Sequence, residues 1–325
     1  MKPEFIHLRV HSEFSLVDGI VKIKPLVKRI ASFNMPAIGL TEHSNLFSLV
    51  KFYRATQGQG LKAIVGADVY IYNDEEPTSP FYLTLLAKNQ TGYTVLTELI
   101  SQAYQQGQHL DVPMLKKEWI EQNHQGLIAL SGAMDGDIGQ ALVGENSELA
   151  KQCALFWQNI FDDGFYFEIQ RVGKKNEEFY ITQAVELALE LDLPVVATND
   201  VRFIEQSDFN AHEVRVCINQ GRVLDDTRRP KNYTDQQYLR STEEMLELFE
   251  DIPEALENTI EIAKRCNVEL TLGENYLPDF PVPEGMTLDE FFIDASRQGL
   301  EQRLQQYPAT GSGSDEENRK VYLDR

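Results

Sequence analysis

The sequence predicts an α/β fold. Short apolar runs alternate with longer amphipathic ones from the first residues to about position 270, as repeated strand-then-helix units require. Several of the short runs are continuous in Val, Ile and Leu, a pattern suited to burial on both faces of a sheet. In chain order the strand candidates are 5–10, 37–41, 63–72, 82–87, 126–131, 165–170 and 194–198. Helical patterns with apolar residues three and four apart fall at 24–32, 45–56, 93–104, 147–160 and 177–191. These seven units suit either a closed parallel barrel or an open doubly wound sheet, and periodicity does not choose between the two. Both put the carboxyl ends of the strands at one face, where the following loops hold ligands. No Walker A or GxGxxG pattern occurs there, which disfavours the common nucleotide folds.

A helical segment follows, opened by the capping box Ser241-Thr-Glu-Glu244 and interrupted near Pro253, and is expected to pack on the outside of these units. Beyond it come an extended proline-rich strap at 277–283, a helix at 287–306 and a flexible PATGSGS tract at 308–314. The chain then stops inside a helix-like pattern, as a fragment does. The natural division is 1–270 and 271–325.

With 30 Lys and Arg against 51 Asp and Glu, the net charge is −21, so the mean surface potential repels phosphate backbones. An autonomous nucleic-acid module is disfavoured, and a basic protein partner suits the charge better. Cys153, Cys217 and Cys266 are scattered without CxxC spacing and read as buried thiols rather than a disulfide framework. No apolar run is long enough to span a bilayer, and no secretory signal precedes the first strand candidate, so the expectation is a soluble, cytoplasmic protein.

The first unit reads His7-Leu-Arg9-Val-His11, with Asp18 shortly after; the second ends in Leu40-Thr-Glu-His43, and the third contains Val65-Gly-Ala-Asp68. Phe165-Tyr-Phe-Glu168 and Ala197-Thr-Asn-Asp200-Val-Arg202 add charge at equivalent strand ends. Imidazole and carboxylate gathered at one mouth suit a metal hydrolase, in which closely spaced cations activate water and clamp a phosphodiester. The bland reading of any one of these residues is a solvated loop polar. Elsewhere, His109 and His124 read as exposed bystanders, His212 as a hydrogen-bonded structural residue, and Trp119 and Trp157 as core. The Arg228-Arg-Pro-Lys231 cluster reads as a solvated turn.

The ordered segments HLRVHSEFSLVDG, LTEHSNL, VGADVY, LTLLAKNQTGY, GLIALSG, YFEIQ and VVATNDVRF, then DIPEALENTIEIAKRCNVEL and YLPDFPVPEG, resemble the amino-terminal PHP (polymerase and histidinol phosphatase) region of bacterial DNA polymerase III alpha subunits of the proteobacterial type. The resemblance runs nearly the whole length. It implies the PHP fold, a distorted TIM-like (βα)7 barrel over 1–270, followed by the proline-rich strap and the helical start of the polymerase region, leading toward the palm and thumb. Family members with an intact site resemble metal-dependent phosphoesterases and hold ions with His, Asp, Glu and Cys at the barrel mouth. Against that pattern this set is broken. His11, Asp18 and His43 match, but Arg9 stands in the HxH motif and Asp68 replaces Glu. Tyr82, Val172 and Arg202 stand at His positions and Ala133 at a Cys position, and none of these four is an ordinary divalent-metal ligand.

Arg9 and Arg202 bring permanent cations toward Asp18, Asp68 and Asp200, so the expectation is a salt-bridge network where ions once sat. The alternative is one residual Zn or Mn on His11, Asp18, His43 and Asp200. The resemblance implies a role in DNA replication without local catalysis: supporting the rest of the alpha chain and docking the proofreading 3′–5′ exonuclease epsilon subunit, with DNA contacted only through the full polymerase and no membrane involved. The competing readings are a residual metal-dependent exonuclease or phosphoesterase and a free-standing phosphatase related to histidinol phosphatase. The proline strap and polymerase-like tail disfavour the last.

Overall fold

The computed structural model of the chain describes residues 4–275, 277, 279–306 and 319–322. Its strands are β1 Ala37–His43, β2 Lys62–Ile71, β3 Phe81–Ala87, β4 Gln108–His109, β5 Val112–Leu115, β6 Leu127–Leu130, β7 Phe165–Gln170 and β8 Val195–Thr198. The helices are α1 Ile23–Ser32, α2 Leu49–Gln57, α3 Gln90–Gln106, α4 Lys117–Gln122, α5 Asp137–Val143, α6 Ser147–Phe161, α7 Glu177–Glu190, α8 Phe209–Gln220, α9 Thr242–Leu248, α10 Pro253–Arg265 and α11 Leu288–Gln306. The chain divides into two compact units, Met1–Leu270 and Thr271–Arg325.

In the first unit, β1, β2, β3, β6, β7 and β8 are successive staves of a barrel, with the β4–β5 hairpin joined to the far end of β2. The seventh stave is the segment at 7–11, expected as a regular strand over 5–10 and found instead as extended chain with sparse hydrogen bonds. Gly39 N donates to His7 O at 2.7 Å and Thr41 N to Val10 O at 2.9 Å on one side; His11 N donates to Val201 O at 2.8 Å on the other. Those two acceptors are three positions apart and their donors only two, so a regular ladder does not form along it.

The parallel order breaks at β3, which pairs antiparallel with both β2 and β6. Only the short segment at 72–80 joins β2 to β3, and a connection of that length returns the chain antiparallel, because a parallel return needs a crossover of a dozen or more residues. The amino end of β3 therefore lies beside the carboxyl end of β2, with Tyr82 opposite Tyr70.

Alternation explains why these strands read as apolar throughout. In β7, Phe165, Phe167 and Ile169 join the main core beneath the helices, while Tyr166 joins a second, smaller cluster within the barrel. That inner cluster holds Ile64, Leu86, Ile128, Leu130 and Val196, with Ile6 and Leu8 from the closing stave. The same face of β2 continues from Ile64 through Gly66 to Asp68, so the interior is apolar at one end and polar at the other.

The segment after Ser241 corrects a further expectation. Its capping box is present, and Pro253 takes the first turn of α10, where its missing N–H costs nothing. Yet α10 does not simply lie outside: Ile262 and Ala263, with Cys266 just beyond, belong to the inner cluster, and Asn258 Nδ2 donates to Val195 O at 2.7 Å. α10 thus closes the apolar end of the barrel. α2 begins at Leu49 rather than at 45, because Asn45 uses its side chain to bond His43 O and the amide of Phe47.

In the second unit α11 has no buried residue, and its start is capped by Thr287, whose Oγ1 accepts from Glu290 N. The strap carries no helix or strand at its described positions, and the tract at 308–314 lies outside the described residues.

Gly39 packs against the closing stave, and a Cβ placed there meets Leu8 O at 2.3 Å. Gly39→Ala is expected to lower stability by about 3 kcal/mol, as overpacking against immobile backbone does, and urea unfolding of the chain measures it.

Candidate functional site

The polar end of the barrel collects side chains from six places in the chain. Arg9 and His11 come from the closing stave, Asp18 from the loop after it, His43 from the end of β1, Asp68 from β2, Tyr82 from the start of β3, and Asp200 and Arg202 from the turn after β8. All are buried except Tyr82, which is half-buried; Arg9 and Arg202 are only 2% and 3% exposed. Ala133 and Val172 follow β6 and β7 and are buried, but bring no polar side-chain atom.

Two guanidinium groups organise the mouth. Arg9 Nε donates to Asp68 Oδ2 at 2.6 Å and lies 3.5 Å from Asp200 Oδ1, while its Nη1 donates to Glu168 Oε1 at 3.2 Å. Arg202 Nη1 donates to Asp18 Oδ2 at 2.6 Å, and Nη2 donates to Asp200 Oδ1 at 2.7 Å. The histidines fill the gaps: His11 Nε2 is 2.8 Å from Asp68 Oδ2, and His43 Nε2 is 3.1 Å from Asp18 Oδ2 and 2.9 Å from Arg202 Nη1.

A further layer holds these groups in place. Thr84 donates to Asp68 at 2.6 Å, Gln170 and Thr198 donate to Glu168, and Gln237 donates to Asp200 at 2.6 Å. The hydroxyl of Tyr233 donates to Asp18, and His212 Nε2 lies 2.7 Å from the carbonyl of the same residue. Behind His43, the Glu42 carboxylate accepts from Ser12, Ser15 and Ser48. Tyr70 stacks on His43 with ring centroids 5.5 Å apart, and Tyr82 meets Tyr70 edge-on. Outside the glycines, left-handed backbone recurs at this face in Leu16, Ser44, Ala133 and Asp200. Such strain is tolerated where surrounding structure over-determines it.

Burial opposes ionisation of Asp18, Asp68, Glu168 and Asp200, and the distance of each from a guanidinium decides the outcome. Despite burial, Arg202 and His43 hold Asp18 well below the usual carboxylate range. Arg9 does the same for Asp68, and Arg202 with Arg9 for Asp200. Glu168 goes the other way: burial pushes it up, Arg9 only partly offsets this, and Asp68 adds repulsion. Burial and the Arg202 charge lower His11.

Among the described residues two sets of ligand atoms are close enough for a cation, His11 with Asp18 and His43, and His11 with Asp68 and Asp200; within each set the atoms lie within 4.8 Å of one another. In both sets a guanidinium nitrogen already lies 2.6–2.7 Å from the carboxylate oxygens. As arranged, these donors do not fit a divalent ion, because the ion would have to share its ligands with a fixed positive charge.

Tyr233 and Gln237 are the contributors that sequence reasoning missed. Glu168 was visible as an acid at a strand end, but Tyr233 and Gln237 come from irregular chain and left no periodic signal. His212 is hydrogen-bonded structure, and Trp157 is core with its indole bonded to Asp137. His109 and His124 are half-buried rather than exposed, packed edge-on against Tyr72 and Phe161. In the basic cluster Arg228 pairs with Asp226 and Arg229 with Glu213.

The PHP domain family model matches residues 7–172. The chain is 51% identical to the DNA polymerase III subunit alpha of Pseudomonas fluorescens, covering 100% of this chain and 28% of that protein. It is also 51% identical to the subunit of the same name from Escherichia coli strain K12, covering 93% of this chain and 26% of that one. The chain thus spans about a quarter of the length of these relatives. Among solved structures, a putative metal-dependent phosphoesterase from Bifidobacterium adolescentis matches at 10% identity over 60% of this chain and 86% of that one, with a TM-score of 0.39. That likeness is too distant to carry an argument.

Arg202→Met is expected to lower the unfolding free energy by about 3–5 kcal/mol, the cost of breaking a buried pair from one side. Adding Asp18→Asn and Asp200→Asn should recover most of that loss in the same urea titration. Acid should weaken the fold in two stages. Burial lowers His7 to about 4, so between about pH 6.5 and 4 the unfolded chain binds more protons and stability falls with pH, by about 3 kcal/mol for this residue. Below about pH 4 the unfolded aspartates protonate before the depressed Asp18, Asp68 and Asp200, and stability falls further. His7→Gln should remove about that much of the upper stage, leaving the share of the other lowered imidazoles such as His11, and leave the lower stage intact.

Proposed function

From the premise that the chain belongs to the PHP domain family, we propose that it is the amino-terminal module of a replicative DNA polymerase III alpha chain, a PHP domain that acts in DNA replication by support and docking rather than by local catalysis. Residues 1–270 form that domain, and 271–325 begin the polymerase region. Identity of about half with alpha subunits along the whole chain supports the placement. The observation that carries the non-catalytic reading is the pair of guanidiniums on the carboxylates of both candidate ligand sets. In this reading Arg9, His11, Asp18, His43, Asp68, Tyr82, Ala133, Val172, Asp200 and Arg202 are the positions of a former metal centre, which now has no cofactor.

The docked partner is the proofreading exonuclease epsilon subunit. Docking keeps editing close to synthesis by raising effective concentration, which needs an interface and no chemistry at the mouth. The net charge of −21 supports contact with DNA through the full polymerase rather than through this module. The place of action in this reading is the cytoplasm, on the replicating chromosome; no helix among the described residues is long and apolar enough to cross a membrane.

A residual phosphoesterase remains the second reading, because His11, Asp18 and His43 do converge. Calorimetric titration with Mn²⁺ and a 3′–5′ exonuclease assay separate the two. The wild-type chain is expected to take up no stoichiometric Mn²⁺ and to release no nucleotides, whereas Arg9→His combined with Arg202→His should gain measurable Mn²⁺ binding. Stoichiometric uptake with turnover by the wild type overturns the non-catalytic reading. For docking, the cognate epsilon subunit should be retained by the immobilised chain, and failure of retention counts against that part alone.

A further inference from the structure

Between α8 and α9 the chain runs through residues 221–241 without a helix or strand, save one isolated bridge from Tyr238 to Phe203. Irregular segments of this length inside a compact domain are uncommon and are either functional or disordered. This one is held, and its anchors are concentrated in its second half, at the mouth. The Tyr233 hydroxyl donates to Asp18 Oδ2, the oxygen that also accepts from Arg202. Gln237 Nε2 donates to Asp200 Oδ2 at 2.6 Å, while Arg202 binds the other oxygen of that carboxylate. Arg202 closes the circuit: its backbone N donates to Gln237 O at 2.9 Å, and its guanidinium lies 5.6 Å from the centre of the Tyr233 ring. The first half of the segment carries exposed Val223 and Leu224 and the exposed Arg228.

We propose that the Asp18–Arg202–Asp200 triad is a latch that orders the 221–241 segment, so that the buried charges of the mouth set the conformation of a surface element. This goes beyond the support and docking reading and does not depend on which partner is docked. The physical reason is that a carboxylate accepts several hydrogen bonds: the segment adds Tyr233 beside Arg202 on Asp18 Oδ2, and gives Asp200 Oδ2, the oxygen that Arg202 leaves, its donor in Gln237. Loss of either donor leaves buried carboxylate capacity unfilled locally, whereas the barrel's own hydrogen bonds between staves are untouched. The segment is therefore a separate cooperative unit that opens without unfolding the barrel.

Hydrogen–deuterium exchange on the 325-residue chain tests this, comparing wild type with Tyr233→Phe and, independently, Gln237→Ala. Neither side chain lies in a strand or helix, so both variants are expected to fold. Removing a hydrogen bond to a buried charge should speed exchange of amides in 222–240 on the order of tenfold, with β2, β3 and β7 changed less than twofold. Tryptic cleavage after Arg222, Arg228 and Lys231 should accelerate in parallel. Unchanged exchange in 222–240 in both variants overturns the latch. So does an equal rise across the barrel strands, which makes the segment part of the global fold instead of a separable unit.

Discussion

A carboxylate removed from water needs a counter-charge or a set of donors, and the mouth of this barrel buries Asp18, Asp68, Glu168 and Asp200 together. Two guanidiniums meet that requirement, and the arrangement of everything near them follows. Arg9 reaches the Asp68 and Glu168 side, Arg202 reaches Asp18, and Asp200 sits between them. Two cations do not balance four full anions. Glu168, pushed toward its neutral form by burial and by its acidic neighbour, lessens the excess.

Planarity makes arginine suited to this place. One guanidinium can hold two carboxylates through separate nitrogens, as Arg202 does with Asp18 and Asp200, where a lysine would present a single point charge. A fixed side chain also has what a bound ion lacks, a covalent connection to one stave. The cation is then supplied by folding itself and does not vary with the concentration of metal. Under the proposed function this is what lets a domain with no local chemistry retain acids that a metal-free pocket could not otherwise bury.

Much of the architecture was legible because burial leaves a periodic trace. Continuous apolar runs located β1, β2, β3, β6, β7 and β8 within a few residues, and the capping box at Ser241 marked the start of α9. Direction left no such trace: β3 has the same composition whichever way it runs, and only the short 72–80 connection hints at its reversal. The closing stave read as a strand because Leu8 and Val10 are buried, yet burial does not require a regular ladder. At the site, the residues on strand ends could be named in advance, and their mutual distances could not. Tyr233 and Gln237 were beyond reach for a different reason, since a segment held by side chains to distant carboxylates has no repeat to detect.

Apolar replacement would have been the simpler way to empty a metal site, since a buried ion pair is often no more stable than well-packed hydrophobic residues. Under the proposed function that is the case at Ala133 and Val172, which are buried and bring no polar side-chain atom. Where acids persist, cations persist opposite them, at Arg9 and Arg202. The difference lies in what each acid also holds. Asp18 accepts from the half-buried Tyr233, Asp200 from the buried Gln237 and Asp68 from the buried Thr84, so removing any of these carboxylates strands a donor on another element. Each acid is therefore tied to at least two partners, and a substitution that discards the charge must repair more than one contact at once.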